Sequence, residues 1–320
     1  MKYDTYSAIA EFRKTHIKEA AKDHFQLNQL HDNIIKQILE ISLKEILERY
    51  GPPPSLFSFF VMGSAGRFEQ SVWSDQDHGI IYLDSTAEAK AYFLSLGKEV
   101  SKGLYQVGYP YCDGGVMSGN PFWCKAQSEW EKQILNWTAE ASWESLRYLL
   151  IFIDGRSFYG QHQLMEQLKT FAYQTVQKEQ LLARIYKNTL HFKKGIGVLG
   201  QILVEPHGVH SGSLNLKETA LFPYINAVRL LAMRDNVLET STLSRLDKLQ
   251  IQDKDQFKTM FLKLLNYRLQ YASHTDYESG HYLPADKLTK EQRNEVKDII
   301  RNGVALHQYA GKLIDKGGIT

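Results

Sequence analysis

Helices and strands alternate up to about residue 158 and helices alone follow, which predicts an α+β domain joined to an all-helical bundle. Short apolar runs at 56–62 and 77–83, bounded by glycine, proline and acids, read as strands. Beyond residue 160 the apolar residues recur at helical spacing instead. A chain of 320 residues has room for both parts. The expected division is N-terminal helices over 1–50, a mixed domain over 51–160 and a helical domain over 161–320.

The first fifty residues read as helix because Leu30, Ile34, Ile38, Ile41 and Ile46 recur every three to five positions with charges between them. Gly51-Pro52-Pro53-Pro54 stops that pattern. The phenylalanine-rich run 56–62 is too short for a good helix and ends at Gly63-Ser64-Ala65-Gly66. Residues 77–83 form a second strand, 86–106 a helix, and 111–117 a weak strand between Pro110 and Gly119. Helix follows over 126–150, leading into an apolar segment, 149–154, that ends on Asp154. From there the pattern gives helices at about 161–176, 179–202, 215–236, 241–249, 254–272 and 289–315.

Composition narrows the function class. At 43% apolar and 23% charged residues, the chain has the make-up of an ordinary soluble protein. A net charge of +2, with no long Lys/Arg run, argues against a polynucleotide partner. Cys112 and Cys124 make neither a disulfide framework nor a zinc half-site, and read as free, partly buried thiols. The N-terminus has no signal-peptide pattern, and the apolar runs fall far short of the ~20 residues that span a bilayer. No membrane association is expected, and the expected compartment is the cytoplasm.

The chemistry concentrates in residues 63–77. A glycine and a small hydroxyl residue straight after a buried strand permit a tight turn whose N–H groups converge on an anion. Ser64 adds a hydroxyl donor, and Arg67 brings a fork of donors suited to phosphate. In the extended Asp75-Gln76-Asp77 the two acids face one side, with Cα atoms roughly 6–7 Å apart, and Gln76 faces the other. Two anions that close repel unless a cation lies between them. Magnesium is the natural candidate, with manganese the alternative, because it joins carboxylates to substrate phosphates.

This arrangement resembles the DNA polymerase β-like nucleotidyltransferase superfamily, whose signature is Gly-Ser, a spacer, then Asp-x-Asp. It is more closely similar to a nucleotidyltransferase family related to the N-terminal domain of the PII-protein uridylyltransferase. Members of that family often occur beside CBS or cyclic-nucleotide-binding domains. They typically read Gly-Ser-Glu-Gly-Arg-x-Glu-Gln, then Thr/Ser-Asp-Gln-Asp. The matching residues here are Gly63, Ser64, Gly66, Arg67, Glu69, Gln70, Ser74, Asp75, Gln76 and Asp77, with Ala65 in place of the usual Glu. Gly114-Gly115-Val116-Met117, Asn120-Pro121, Trp123, 152–156 and Tyr159-Gly160 extend the resemblance. So do Asn215-Leu216-Lys217 and 227–230, which are similar to that family's helical C-terminal domain.

The resemblance implies a polymerase β-like domain with a small mixed sheet, followed by a helical bundle that in similar transferases reads the acceptor. It implies transfer of an NMP group from a nucleoside triphosphate to an acceptor, with release of pyrophosphate. The acceptor would be a small molecule or a protein, regulatory proteins among them. Asp75 and Asp77 would hold magnesium. A third carboxylate helps activate the acceptor in the superfamily; Asp154 is the candidate and Asp113 its competitor. Gly63, Ser64, Gly66 and Arg67 are the candidate phosphate-binding residues, with Glu69 either beside them or holding Arg67 in place. Without a third acid the expected protein is a catalytically silent nucleotide-binding signalling module. A helical scaffold without nucleotide is the remaining rival.

Other patterns read as structural. Gly195-Ile196-Gly197-Val198-Leu199-Gly200 matches GxGxxG but follows a helical stretch, not a strand, so close helix packing is expected there. His207 and His210 lie in a Pro/Gly loop without a helix to align them as ligands. His31-Asp32 lacks the further histidines of a metal phosphohydrolase, so the removing half of the uridylyltransferase's dual activity is not expected. Trp123, Trp130, Trp137 and Trp143 are spaced for packing.

Overall fold

Two long helices open the chain, each started by an oxygen-bearing cap. In the computed structural model, which describes residues 3–317, the Ala8 N–H donates to Thr5 Oγ1 at the head of α1 (Tyr6–Ala20). Gln26 N–H donates likewise to the Asp23 carboxylate at the head of α2 (His24–Tyr50). Gly51, at φ +81°, ends α2 ahead of the three prolines. The run beyond forms β1 (Phe57–Val61), buried along its whole length. One helical turn, α3 (Gly63–Gly66), and a loop lead to β2 (His78–Tyr82). Then come α4 (Ala87–Val107), β3 (Cys124–Ala126), α5 (Gln127–Glu140), α6 (Trp143–Phe152), β4 (Arg156–Gly160) and α7 (His162–Lys178).

The four strands form one mixed sheet in the order β3-β2-β1-β4. β1 runs antiparallel to both β2 and β4, while β2 and β3 are parallel. Because side chains alternate along a strand, β1 serves two cores. Phe57, Phe59 and Val61 pack with Ile9, Ile34, Ile38, Phe93, Leu96 and Val100 from α1, α2 and α4. Phe60 points the other way, into an aromatic cluster with Trp130 and Phe152 at ring distances of 5.9 and 6.1 Å. Trp123, Trp130 and Trp137 meet there as packing residues, but Trp143 is 59% exposed and takes no part in that core. Trp130 Nε1 donates to the Ile80 carbonyl, so the buried indole keeps its hydrogen bond.

Two expected strands take other forms. Residues 111–117 run as turns, and the apolar segment before Asp154 is the end of helix α6. A short apolar run fits a buried helix end as well as a strand; here Leu146, Leu149, Leu150 and Ile153 recur at helical spacing and are buried. The strand follows instead at β4, an edge strand only partly covered.

The chain divides into two units, one holding residues up to Glu140 together with Arg147–Ala172, the other Ala141–Leu146 and everything from Tyr173 onward. The second contains α8 (Leu182–Asn188), β5 (Ser213–Asn215), α9 (Phe222–Asp235), α10 (Thr242–Lys248), α11 (Lys254–Tyr271), β6 (Tyr282–Pro284) and α12 (Lys290–Gly317). α9 to α12 supply most of its core, including Tyr224, Leu246, Phe261, Leu264 and Ile300, and β5 pairs antiparallel with β6 in a small two-stranded sheet. Gly303 lets α12 approach Tyr224, whose hydroxyl donates to the Ile299 carbonyl.

Two helices in this unit are shorter than expected. The stretch 179–202 is helical only as α8, and a loop with one bridge, Ile196 to Ile202, replaces the rest. Three glycines within six residues disfavour helix there. The stretch 215–236 starts as β5 and passes through a π-turn, Lys217–Leu221, before α9. Pro223 has no N–H to donate to the Thr219 carbonyl, so an α register cannot run through it.

Candidate nucleotide and metal site

Strand register brings the two ends of the motif together. The β1–β2 pairing closes on Val61 opposite His78, and just beyond it Met62 N–H donates to the Asp77 carbonyl at 2.7 Å. The chain then turns through α3, with Gly63 at φ +54°. Arg67 N–H donates to the Gly63 carbonyl and Glu69 N–H to that of Ser64, which closes the turn. A Cβ on Gly63 would lie 2.1 Å from Asp77 Oδ2, so the carboxylate rests directly on the glycine. The Ser64 and Ser74 hydroxyls share a hydrogen bond of 3.1 Å across the loop. Glycine, serine and the Asp-x-Asp pair are neighbours in space.

The pair faces one way, as alternation requires. Asp75, Asp77 and Cys112 each present a ligand atom, all within 4.8 Å of one another, and all three residues are partly exposed. Gln76 faces the interior, where its amide donates to the carbonyls of Ser101 and Tyr109 at 3.1 and 2.9 Å. Its oxygen accepts from His78 Nε2 at 3.1 Å. His78 Nδ1 accepts the Ser118 N–H at 3.1 Å, which fixes the proton on Nε2. Burial lowers the His78 pKa to about 3, so the ring is neutral. The buried middle residue thus aims the two acids outward.

Cys112 reaches the acids because its segment is strapped on both sides. Gln76 N–H donates to the Pro110 carbonyl and His78 N–H to that of Val116, so 111–115 loops out opposite Asp77. Burial, then the Asp77 charge, pushes the Cys112 thiol up to about 12. Both cysteines are free thiols, and Cys124 is buried in β3. Two carboxylates this close repel. A divalent cation removes that repulsion, and the partly exposed donor set of two carboxylates and a thiol fits one.

Arg67, Glu69 and Asp154 join one another, with Glu69 in the second of its two expected places, holding Arg67. Arg67 Nε donates to Glu69 at 2.8 Å and Nη1 to Asp154 at 2.6 Å, all three buried. Burial alone would lower the Arg67 pKa, but the two carboxylates outweigh it and raise it. Asp154 is fully buried in the turn after α6 and is not part of the Asp75–Asp77–Cys112 cluster. The expectation that it ends an inner strand is corrected: it follows helix α6, and its carboxylate pairs with Arg67. Arg67 directs at least two donors inward, and Glu69 holds it there. Gly66 packs the 63–66 turn onto the same place, since a Cβ on it would lie 2.2 Å from the Asp154 carbonyl oxygen. The competitor Asp113 is exposed on the 111–115 loop.

Two family models match this chain. One, described as "Putative nucleotidyltransferase DUF294", matches residues 9–144. The other, the "Putative nucleotidyltransferase substrate binding domain", matches 179–313. The chain belongs to this nucleotidyltransferase family. No curated protein matches it. The first match takes in the whole motif, Cys112 and Asp113, while Asp154 and Arg156 fall between the two matches.

In this nucleotidyltransferase family member the motif loop is held from outside the sheet by side chains that the sequence reading missed. Asn28 Oδ1 accepts the Gln70 N–H at 2.8 Å, and His31 Nε2 donates to the Ser71 carbonyl at 2.9 Å. Tyr109 donates to the other His31 nitrogen at 2.7 Å. Burial, then the Arg13 charge, lowers His31 to about 3. Asp32 grips both terminal nitrogens of Arg156 at 2.9 and 2.7 Å, and Arg156 in turn donates to the Ala65 carbonyl at 3.0 Å. From α1, Arg13 donates to the Val72 carbonyl at 2.9 Å and lies over the Trp73 and Tyr109 rings. The available signal was the polar row Asn28, His31, Asp32 at helical spacing in the first half of α2.

The remaining patterns stay outside this site. Among the described residues no metal-ligating cluster includes His207 or His210, and His210 stacks on Tyr282. Gly195 is buried against Thr219 and against Ile300 of α12, as close packing requires, while Val198 and Leu199 stand almost fully exposed at the loop tip. No helix among the described residues is long and apolar enough to cross a membrane.

Proposed function

We propose that this protein transfers an NMP group from a nucleoside triphosphate to a hydroxyl-bearing acceptor, releasing pyrophosphate, with a divalent cation at Asp75 and Asp77. The single observation that carries this reading is the convergence of the two carboxylates beside the Gly63-Ser64 turn. A bound divalent cation neutralises the phosphate tail and polarises the α-phosphorus. Asp75 and Asp77 hold the cation, and magnesium is the ion the carboxylates alone predict. Ser64 and the first amides of α3 receive the β/γ-phosphates, because the opening N–H groups of a helical turn have no partner within it. Arg67, Glu69 and Asp154 stiffen the turn from below. The C-terminal domain reads the acceptor, in keeping with the description of its family model.

A second reading is favoured by one observation, the commitment of Asp154 to Arg67. With that acid absent from the pair, a nucleotide-binding module without transfer fits the same geometry. Incubation with α-labelled nucleoside triphosphates, divalent cation and cell extract separates the two. Label on an acceptor, lost in Asp75→Asn/Asp77→Asn, supports transfer. Thermal stabilisation without label supports the silent module; ligand at ~100 times Kd adds about 2.7 kcal/mol. A nucleotide panel that gives neither label nor stabilisation sinks both readings.

A further inference from the structure

The carboxylate pair is accompanied by a thiol that the polymerase-like signature does not require. Cys112 is carried to Asp75 and Asp77 by backbone bonds from Gln76 and His78, on either side of the 111–115 loop. Gly115, at φ +64°, turns that loop back, and its carbonyl accepts from Asn120 Nδ2 at 3.0 Å. The Gly115 N–H donates to the Cys112 carbonyl at 2.9 Å, so the backbone around the thiol is fixed. Sγ and the two carboxylate oxygens fall within 4.8 Å of one another, a separation one metal ion can bridge. All three donors remain partly open to solvent, which leaves room for substrate oxygens and water.

Donor chemistry then decides which ion is held most tightly. Magnesium takes oxygen ligands and gains little from sulfur, whereas cobalt, zinc and cadmium gain strongly from a thiolate. We infer that Cys112 is a third protein ligand of the Asp75/Asp77 cation, so that the site takes a thiophilic divalent cation in preference to magnesium. This inference rests on the proposed nucleotide site and refines the identity of its ion. On binding, the S–H bond breaks, its proton passes to solvent, and sulfur donates its electron pair to the metal with no change of oxidation state.

The test is anaerobic titration of the full chain with cobalt alone, followed by near-ultraviolet absorption. The expected result is a thiolate-to-cobalt charge-transfer band that saturates at one equivalent and vanishes in Cys112→Ser while Cys124 is intact. Zinc and cadmium affinity should fall by at least about tenfold in that variant, with magnesium affinity unchanged. Cobalt binding without the band in the unaltered chain would overturn the inference and leave the nucleotide site standing. So would zinc and cadmium binding equally tightly to Cys112→Ser, or a band that survives Asp75→Asn/Asp77→Asn. If none of the cations, magnesium included, binds the unaltered chain, the inference and the proposed site fall together.

Discussion

Two glycine-bearing loops of this protein invite comparison, 63–77 in the first unit and 195–212 in the second. In the first, the space beside the glycine is occupied: Asp77 Oδ2 lies 2.1 Å from where a Gly63 Cβ would be, and the Asp154 carbonyl 2.2 Å from that of Gly66. In the second, Gly200, Gly208 and Gly212 have positive φ and nothing within 4 Å. Val198, Leu199 and Val209 stand almost fully in solvent there. The first loop uses glycine so that a carboxylate and backbone can come close; in the second, Gly195 and Gly197 meet side chains, while Gly200, Gly208 and Gly212 let the chain turn. The literal GxGxxG lies in the second loop and the candidate chemistry in the first. What occupies the space separates them: a carboxylate and backbone in the first loop, side chains of Thr219, Ile300 and Gln201 in the second.

The largest effect expected from breaking this contrast is at Arg67. Arg67→Met leaves Glu69 and Asp154 buried without their cation, and breaking a buried pair in this way costs about 3–5 kcal/mol. Urea denaturation will show it, and an unchanged midpoint would refute the anchoring role. Gly66→Ala comes next, at about 1–3 kcal/mol, because the obstacle is backbone and cannot swing aside. Gly63→Ala sharpens the comparison differently. Its obstacle is a side chain, so calorimetry should show divalent-cation affinity falling well beyond what the stability loss explains, as the Asp77 carboxylate is displaced.

Acid sensitivity is the next expectation. His31 and His78 are held near pKa 3 in the fold, below the value of about 6.5 for an unfolded histidine. Between those values the unfolded chain binds more protons, so stability is full above pH ~6.5 and falls as the pH drops towards 3. Urea midpoints should therefore be lower at pH 5 than at pH 7; equal midpoints would show the rings to be charged or exposed. Smallest is Gly200→Ala, about 1 kcal/mol from placing an L-residue at φ +77°. It should leave nucleotide- and cation-induced stabilisation untouched. A loss of either would move chemistry into the second loop.

What could be read from the chain follows from how local each signal is. β1, the Gly-Ser turn and the outward pair Asp75/Asp77 were legible because an apolar run, a glycine and a period of two occupy one short stretch. α2 and its stop were legible because Gly51 and three prolines admit no continuation. β4 was not, since Arg156-Ser157-Phe158-Tyr159-Gly160 is a half-covered edge with no apolar run, while the run before it forms α6. Cys112 could not be placed, because its approach to Asp77 depends on backbone bonds from a segment distant in sequence. Asp154 was singled out as an acid near the pair, but side-chain partners decide what a carboxylate does, and Arg67 reaches it first.

The grip of α1 and α2 on the loop sets the smallest piece of this chain that could be cut out and still work. A fragment starting at β1 would carry every residue of the motif. It would lack Arg13, Asn28, His31 and Asp32, and with them the partners of Val72, Gln70, Ser71 and Arg156. A usable excision therefore begins upstream of Arg13, and shuffling this fold between proteins requires the leading helices to travel with the sheet.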